Sequence, residues 1–359
     1  MSTQPRFGAG QLFFLIFLSR IVLTLTYSIS SGGHTVNNAD WLAAIFMPLV
    51  LLLIAIPSGL FLSVSNNQDI CSFSYTLHPF VGKTVSVLYS ALFFILAYTP
   101  VARFSFFVTS AMQPEQGNWF FPILIFLPVC FAAVKGVQAI VRTGAVFAVV
   151  SIVAIGVIVL ALLPRFDRFN IYSPLYDGWG EVGHSLTLML SNSLELSMIL
   201  MLAPMVRGSI KKAYLCYAVL APVVLFGVLF TVVAVLGDYA NLQLFPFYSV
   251  AGIARIGELT NLSALEASVW IVGVYVKSSM YLYLSHRCLC RIVPDRYRTI
   301  ALCVLSAAGV VVAALSSETV KKAQLNFSVS GTLVIGCIFL IVIPLVLALA
   351  GKVKKKDVA

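Results

Sequence analysis

The sequence predicts an all-α integral membrane protein with about ten transmembrane helices, folded as a single polytopic domain over residues 1–359. Hydrophobic residues make up 60% of the chain and charged residues only 10%, whereas a soluble domain averages about 25% charged residues. Apolar runs of bilayer-crossing length recur evenly from one end of the chain to the other. No interval between these runs is long enough for a soluble catalytic domain.

Ten apolar runs come close to the roughly 20 residues that a helix needs to cross a bilayer. They are numbered span 1 to span 10 in chain order, at residues 8–30, 40–64, 84–112, 119–135, 142–163, 182–206, 213–236, 264–285, 299–316 and 329–350. An even number of spans places both termini on the same side of the membrane.

The basic residues predict which side that is. If both termini are cytoplasmic, the inner segments hold 15 Lys and Arg residues, the outer loops hold five, and three lie inside spans. Cytoplasmic loops normally carry this excess, so we expect both termini in the cytoplasm. The basic tail at residues 351–359 then faces anionic lipid. The net charge of +10 is thereby explained by membrane topology and does not indicate nucleic-acid binding.

Ten spans without a large soluble domain are typical of secondary carriers. Many carriers consist of two inverted five-helix repeats, and the first helix of each repeat is broken near the midplane. The repeats would here cover about residues 8–163 and 182–350, and their first helices would be spans 1 and 6.

Polar residues interrupt both of these spans. Span 1 contains the stretch Thr24–Ser28, and span 6 contains Ser191, Asn192 and Ser193. Such side chains can bond their own backbone and support a break, which exposes peptide groups and half-helix dipoles to a zwitterionic ligand. The same hydroxyls are also compatible with unbroken helices. Their presence in both spans favours a break in each.

Four ionisable side chains lie deep within spans, namely Arg20, Arg103, Glu195 and Lys277. Intramembrane charges are costly, and they mark functional sites. We expect Glu195 to pair with Arg20 or Lys277, and Arg103 to reach the interface or pair with Glu266. Two interpretations stay open. The ion pair fixes packing, or Lys277 replaces a bound cation while Glu195 binds an amine or a proton.

The candidate site residues follow from these positions. The predicted ligand-binding residues are Thr24, Thr26, Tyr98, Ser191, Asn192, Ser193, Glu195 and Lys277, and the predicted charge network is Arg20, Arg103 and Glu266. Nucleotide-binding and catalytic motifs are absent from the sequence. The spacing of His286, Cys288 and Cys290 is not the usual zinc pattern. We therefore predict no enzyme, no cofactor and no metal site.

One long connector is also predicted to have structure. The outer segment Gly237–Ser263 contains the apolar stretch LFPFYSVAGIARIGEL. It is interpreted as a short interfacial helix over the outer mouth, with either a gating or a purely surface role.

Several of these segments, in this order and spacing, resemble the spore germination permease family, the B-type membrane subunit of nutrient germinant receptors. The matching positions are Gln11, Arg103, Gly136, Arg142, the segment Phe166–Thr187 with Asn170 and Pro174, Pro204, Lys211, Lys212, Phe245, Pro246, Trp270, Ile271 and Lys277. The likeness covers nearly the whole chain. One departure is the stretch Ser19–Thr26, which lacks the glycines usual in that family.

The resemblance implies the LeuT-like architecture of the amino acid–polyamine–organocation superfamily, with a small-molecule site in the core. It implies a location in the inner membrane of the spore. The implied partners are an A-type receptor subunit and a C-type lipoprotein. We expect a transporter-like receptor subunit that binds a nutrient and triggers germination. The expected nutrient is an amino acid. The alternatives are an amino acid or amine transporter coupled to protons or an ion, and a scaffold whose transport site is vestigial.

Overall fold

The computed structural model describes residues 6–27, 34, 36–66, 68–171, 175–176, 178–323 and 329–358, which are nearly all helical. The helices are α1 (Ala9–Leu25), α2 (Asn38–Val64), α3 (Ile70–Leu77), α4 (Pro79–Phe107), α5 (Phe120–Lys135), α6 (Val137–Leu162), α7 (Gly178–Ser191), α8 (Ser197–Leu202), α9 (Ile210–Leu236), α10 (Pro246–Ile253), α11 (Ser263–Leu289), α12 (Arg298–Ala323), α13 (Val329–Gly336) and α14 (Ile343–Val358). A π-helical turn extends α4 to Met112, and another joins α13 to α14. Ser28 and Pro174 lie outside the described residues.

The membrane class predicted from composition is confirmed. Among the described residues, seven segments are long and apolar enough to cross a membrane, namely Asn38–Val64, Pro79–Met112, Val137–Arg165, Gly178–Met205, Ile210–Leu242, Asp295–Ser317 and Gly331–Lys354. The shorter apolar helices α1 and α5 and the 27-residue α11 coincide with spans 1, 4 and 8. The count of ten crossings and the two inverted repeats stay predictions.

The helices differ sharply in burial. In the segment Gly178–Met205, 78% of the most apolar window is buried inside the protein, against 22% for Asn38–Val64. Helix α1 is also largely buried and packs against α6, α9 and α11. Spans 1 and 6 therefore lie at the centre of the bundle, and their charged residues are kept away from lipid.

Span 6 is interrupted where the sequence predicts. Helix α7 ends at Ser191, Ser193 is not helical, and a 3-10 turn at Leu194–Leu196 leads into α8. The polar side chains bond the preceding turn: Ser191 Oγ and Asn192 Nδ2 donate to the carbonyl of Leu188, and Ser193 Oγ to that of Met189. These bonds satisfy carbonyls that lose their helical partners at a helix end.

Span 1 is helical up to the polar stretch that is predicted to carry its break. Helix α1 runs from Ala9 to Leu25 and ends within the stretch Thr24–Ser28, and Thr26 lies in a turn, so a break beyond Leu25 stays a prediction. Thr24 Oγ1 donates to the carbonyl of Arg20, and Thr26 Oγ1 donates to that of Val22, one helical turn back. These hydroxyls bond back to the last turns of α1, which is compatible with a helix end as well as with an ordinary helix.

Short strands close both ends of the central segments. Phe7–Gly8 (β1) pairs in parallel with Val206–Arg207 (β2), which joins the start of α1 to the end of α8. At the opposite end, Arg255–Ile256 (β3) pairs with Leu259–Thr260 (β4) directly after α10. The short helix predicted in the connector 237–263 is therefore present as α10.

Candidate functional site

The guanidinium group of Arg20 binds the carbonyl end of α7. Its Nη1 donates to the carbonyl of Asn192 at 3.0 Å, and its Nη2 to the carbonyl of Met189 at 3.2 Å. Nη1 also lies 3.4 Å from Ser193 Oγ. Carbonyls at the end of a helix carry partial negative charge and attract cations. A side chain of span 1 therefore supplies the cation at the break in span 6.

Glu195 follows directly after this break and forms an ion pair with Arg20. Its Oε1 lies 3.2 Å from Arg20 Nη1, and it accepts a 2.9 Å hydrogen bond from the hydroxyl of Tyr217. Glu195 is only 1% exposed, and its Oε2 has no hydrogen-bond partner among the described residues. Oε1 of Glu195 thus binds Arg20 and Tyr217 within the protein, whereas Oε2 can accept a hydrogen bond from an additional donor.

Lys277 takes a different partner. Its Nζ donates to the backbone carbonyl of Ser19 at 3.0 Å, and Ser19 Oγ lies 3.3 Å from the hydroxyl of Tyr281. The ion pair of Glu195 is therefore with Arg20, which answers the alternative left open by the sequence. Lys277 and Glu195 nevertheless line the same cavity, so both side chains contribute to its electrostatic environment.

The cavity lies between spans 1, 3, 6, 8 and 10 and has a volume of about 60 Å³. A single water needs roughly 10–15 Å³ of such space, so the present conformation has room for a few waters. The predicted residues in its wall are Thr26, Arg103, Ser191, Asn192, Glu195 and Lys277. Trp270 also lines it, and the indole Nε1 of this buried side chain has no hydrogen-bond partner among the described residues. The cavity wall therefore offers both donors and acceptors.

Five predicted site residues do not line this cavity. Arg20 binds the end of α7 and Glu195 instead. Thr24 is buried and bonded within α1, and Ser193 is engaged by Arg20. Tyr98 is half-buried and packs against the ring of Phe94 at 5.6 Å. Glu266 is buried, but neither of its oxygens has a hydrogen-bond partner among the described residues, so the expected pair with Arg103 is not formed.

Two buried contributors were missed by the sequence reasoning. Tyr217 is fully buried on α9 and binds Glu195, and its signal was a hydroxyl inside an apolar run. Asp40 is 0% exposed and accepts hydrogen bonds from the hydroxyl of Tyr27 and the backbone N–H of Asn37. It was overlooked because an acidic residue at the start of an apolar run is usually an ordinary helix cap.

Asp40 also binds His34 in the connector between α1 and α2. The distance from His34 Nε2 to Asp40 Oδ1 is 3.2 Å. Burial lowers the pKa of His34, but the hydrogen bond and charge of Asp40 and the charge of Glu181 raise it by more, so the net shift is upward. A polar cluster therefore surrounds the end of the bundle nearest the start of α7.

The other end of the bundle is closed by an ion pair. Asp69, at the start of α3, accepts two hydrogen bonds from Arg291 Nη2, at 2.8 and 2.7 Å. Arg287 on α11 lies 3.9 Å from the same carboxylate. These contacts connect the segment before α4 to the end of α11.

Comparison with known proteins agrees with this architecture. One similar solved structure is that of a Na+-coupled sialic acid symporter in a substrate-bound, outward-open state. The TM-score is 0.55 and the sequence identity 11%, and the match covers 96% of this chain and 90% of the symporter. At this identity the likeness shows the fold alone. No curated protein matches this chain by sequence. A family model described as "Spore germination protein" matches residues 7–322, and the chain therefore belongs to that family.

Proposed function

We propose that the chain is the transporter-like membrane subunit of a nutrient germinant receptor, which binds a small nutrient in the central cavity and thereby triggers germination. The observation that carries the proposal is the state of Glu195. This carboxylate is buried, one of its oxygens is held by Arg20 and Tyr217, and the other has no partner among the described residues. A buried acceptor without a partner is costly, and a ligand that donates a hydrogen bond to it is correspondingly favoured.

An amino acid fits the groups in the cavity wall. Its ammonium group would donate to Glu195 Oε2. Its carboxylate would be attracted by Lys277 and Arg103 and could accept a hydrogen bond from Trp270 Nε1. A zwitterionic nutrient requires partners of both charges in a largely apolar cavity, and this cavity wall provides them.

The size of the cavity supports sensing through a conformational change. A volume of about 60 Å³ has room for a few waters, so an amino acid would have to bind a more open conformation. A ligand that binds one conformation better than another shifts the population towards it. The interruption between α7 and α8 is a natural position for such a change, because α-helical bonding ends at Ser191 and only a short 3-10 turn leads into α8.

The remaining parts of the proposal follow from the family and the charge distribution. We place the protein in the inner membrane of the spore with both termini in the cytoplasm, together with an A-type subunit and a C-type lipoprotein. The family match and the excess of basic residues in the inner segments support this placement.

The alternative is a secondary transporter for amino acids or amines, coupled to protons or an ion. Its support is the fold, which is shared with a Na+-coupled symporter. Against a bound sodium ion, the side chains of Arg20 and Lys277 already hold backbone carbonyls in the core. Proton coupling through Glu195 is the form of transport that the site favours most.

Germination and uptake measured on the same variants separate the two functions. Spores that lack the native gene would be complemented with wild type, Glu195→Gln or the exposed control Glu258→Gln, at matched protein levels. Each strain is tested against a panel of amino acids, and the purified protein is tested for uptake of labelled amino acids into vesicles. We expect only Glu195→Gln to lose the germination response. We expect no uptake of labelled amino acids by the wild type or by either variant. Saturable uptake by the wild type that is abolished in Glu195→Gln would contradict the receptor function and support the transporter function.

A further inference from the structure

A second cluster of ligating side chains lies apart from the central cavity. His34, Glu181 and His184 each offer one nitrogen or oxygen atom, and these atoms all lie within 4.8 Å of one another. The imidazole rings of the two histidines are 5.6 Å apart between centroids. The cluster lies at the start of α7, away from the β1–β2 pair that joins the other ends of spans 1 and 6.

We propose that His34, Glu181 and His184 form a binding site for a divalent transition-metal ion of the zinc class. Zinc binds imidazole nitrogen and carboxylate oxygen at about 2.0–2.2 Å, so tetrahedral ligands lie roughly 3.4 Å apart. The observed separations of up to 4.8 Å require only small side-chain rotations to reach this geometry. Calcium and magnesium prefer all-oxygen sites and are disfavoured here.

The surroundings of the cluster match those of metal-binding histidines. A ligating histidine usually gives its other ring nitrogen to a carboxylate, which orients the ring. His34 has such a partner, because its Nε2 lies 3.2 Å from the buried carboxylate of Asp40. The side chain of His184 is 54% exposed and that of Glu181 is 34% exposed, so an ion can reach the site from solvent. Three protein ligands would leave a fourth position for water.

The metal would connect two elements that lie far apart in the chain. His34 belongs to the connector between α1 and α2, whereas Glu181 and His184 lie on α7. Helix α7 continues to the cavity residue Ser191 and to the interruption beyond it. A bound ion would therefore hold the first turns of α7 against the connector and restrain the half-helix that leads to the cavity.

Binding of zinc to the purified full-length chain tests the proposal. The untagged protein in lipid nanodiscs is titrated with zinc chloride by calorimetry at neutral pH, with magnesium chloride as the comparison ion. The variants are His184→Ala and Glu181→Gln, at an exposed and a partly exposed position. The control is His78→Asn, which removes a histidine at the other end of the bundle and retains an acceptor for the cap of α4.

We expect one zinc site in the wild type and in His78→Asn, weakened at least about tenfold in each of the other variants. Hydrogen–deuterium exchange of residues 178–191 is expected to fall on addition of zinc in the wild type but not in His184→Ala. No zinc binding by the wild type, or equal binding by all variants, would overturn the proposal. Neither result depends on whether the central cavity binds a nutrient.

Discussion

Span 1 and span 6 were equivalent in the sequence, and the structure makes them different. Both carry a polar stretch and a buried charge, and both lie at the centre of the bundle. Helix α1 ends at Leu25, within its polar stretch, whereas span 6 stops at Ser191 and restarts in a 3-10 turn. The interruption of span 6 thus lies beside Arg20, which belongs to the helical part of span 1.

The difference shows how an interruption can be stabilised by its neighbour. The break in span 6 leaves carbonyls without helical partners, and Arg20 of α1 donates to two of them. The same guanidinium pairs with Glu195, so one cation satisfies both the backbone and the side chain. Four predictions test this division of roles, from the largest expected effect to the smallest.

Replacing Arg20 by Met should have the largest effect. The change would leave Glu195 as a buried charge without its cation and would remove the donors to Met189 and Asn192. Breaking a buried pair in this way costs about 3–5 kcal/mol of unfolding free energy. The measurement is denaturant unfolding in detergent, with the exposed Arg255→Met as the matched control. Equal stability of the two variants would mean that the break does not depend on Arg20.

Combining Arg20→Met with Glu195→Gln should recover part of this loss. The amide carries no charge, so the double variant no longer buries an unpaired ion, and Gln can still accept from Tyr217. We expect the double variant to be about 2 kcal/mol more stable than Arg20→Met alone. A complete double-mutant cycle measures the coupling. Additive effects would contradict a direct interaction between the two side chains.

Substitution of Ser193 by Ala probes the interruption itself. The hydroxyl donates to the carbonyl of Met189 and accepts from Arg20. Its removal should cost about 1 kcal/mol, the usual contribution of a single hydrogen bond. The same unfolding assay applies. A neutral result would show that Arg20 alone satisfies this end of α7.

The smallest effect is expected for Thr24→Val near the end of α1. The hydroxyl only bonds the carbonyl of Arg20 within the helix, and Thr24 does not line the cavity. We expect a stability change below about 0.5 kcal/mol, because valine has nearly the same shape and the helix is already bonded. Nutrient response should be unchanged, whereas Thr26→Val, in the cavity wall, should weaken it. A strong loss of nutrient response in Thr24→Val would mean that Thr24 contributes to the nutrient site.

The sequence alone determined the membrane class, the positions of the helices and the buried charges. These properties follow from composition and local apolar runs, because any helix that crosses lipid must satisfy its own backbone within the segment. The interruption of span 6 was also readable, since Ser191, Asn192 and Ser193 bond carbonyls within one turn of themselves. Such contacts are local and need no knowledge of neighbouring helices.

Only the tertiary structure decided which charges meet. Arg20 and Lys277 were equal candidates for Glu195, and the packing of α1 against the 3-10 turn Leu194–Leu196 selected Arg20. The same packing turned Tyr217 into a partner of Glu195 and brought His34 near His184. These residues are distant in the chain, and no periodicity relates them. Their approach depends on how whole helices pack, which is why the sequence could locate the charges but not assign their partners.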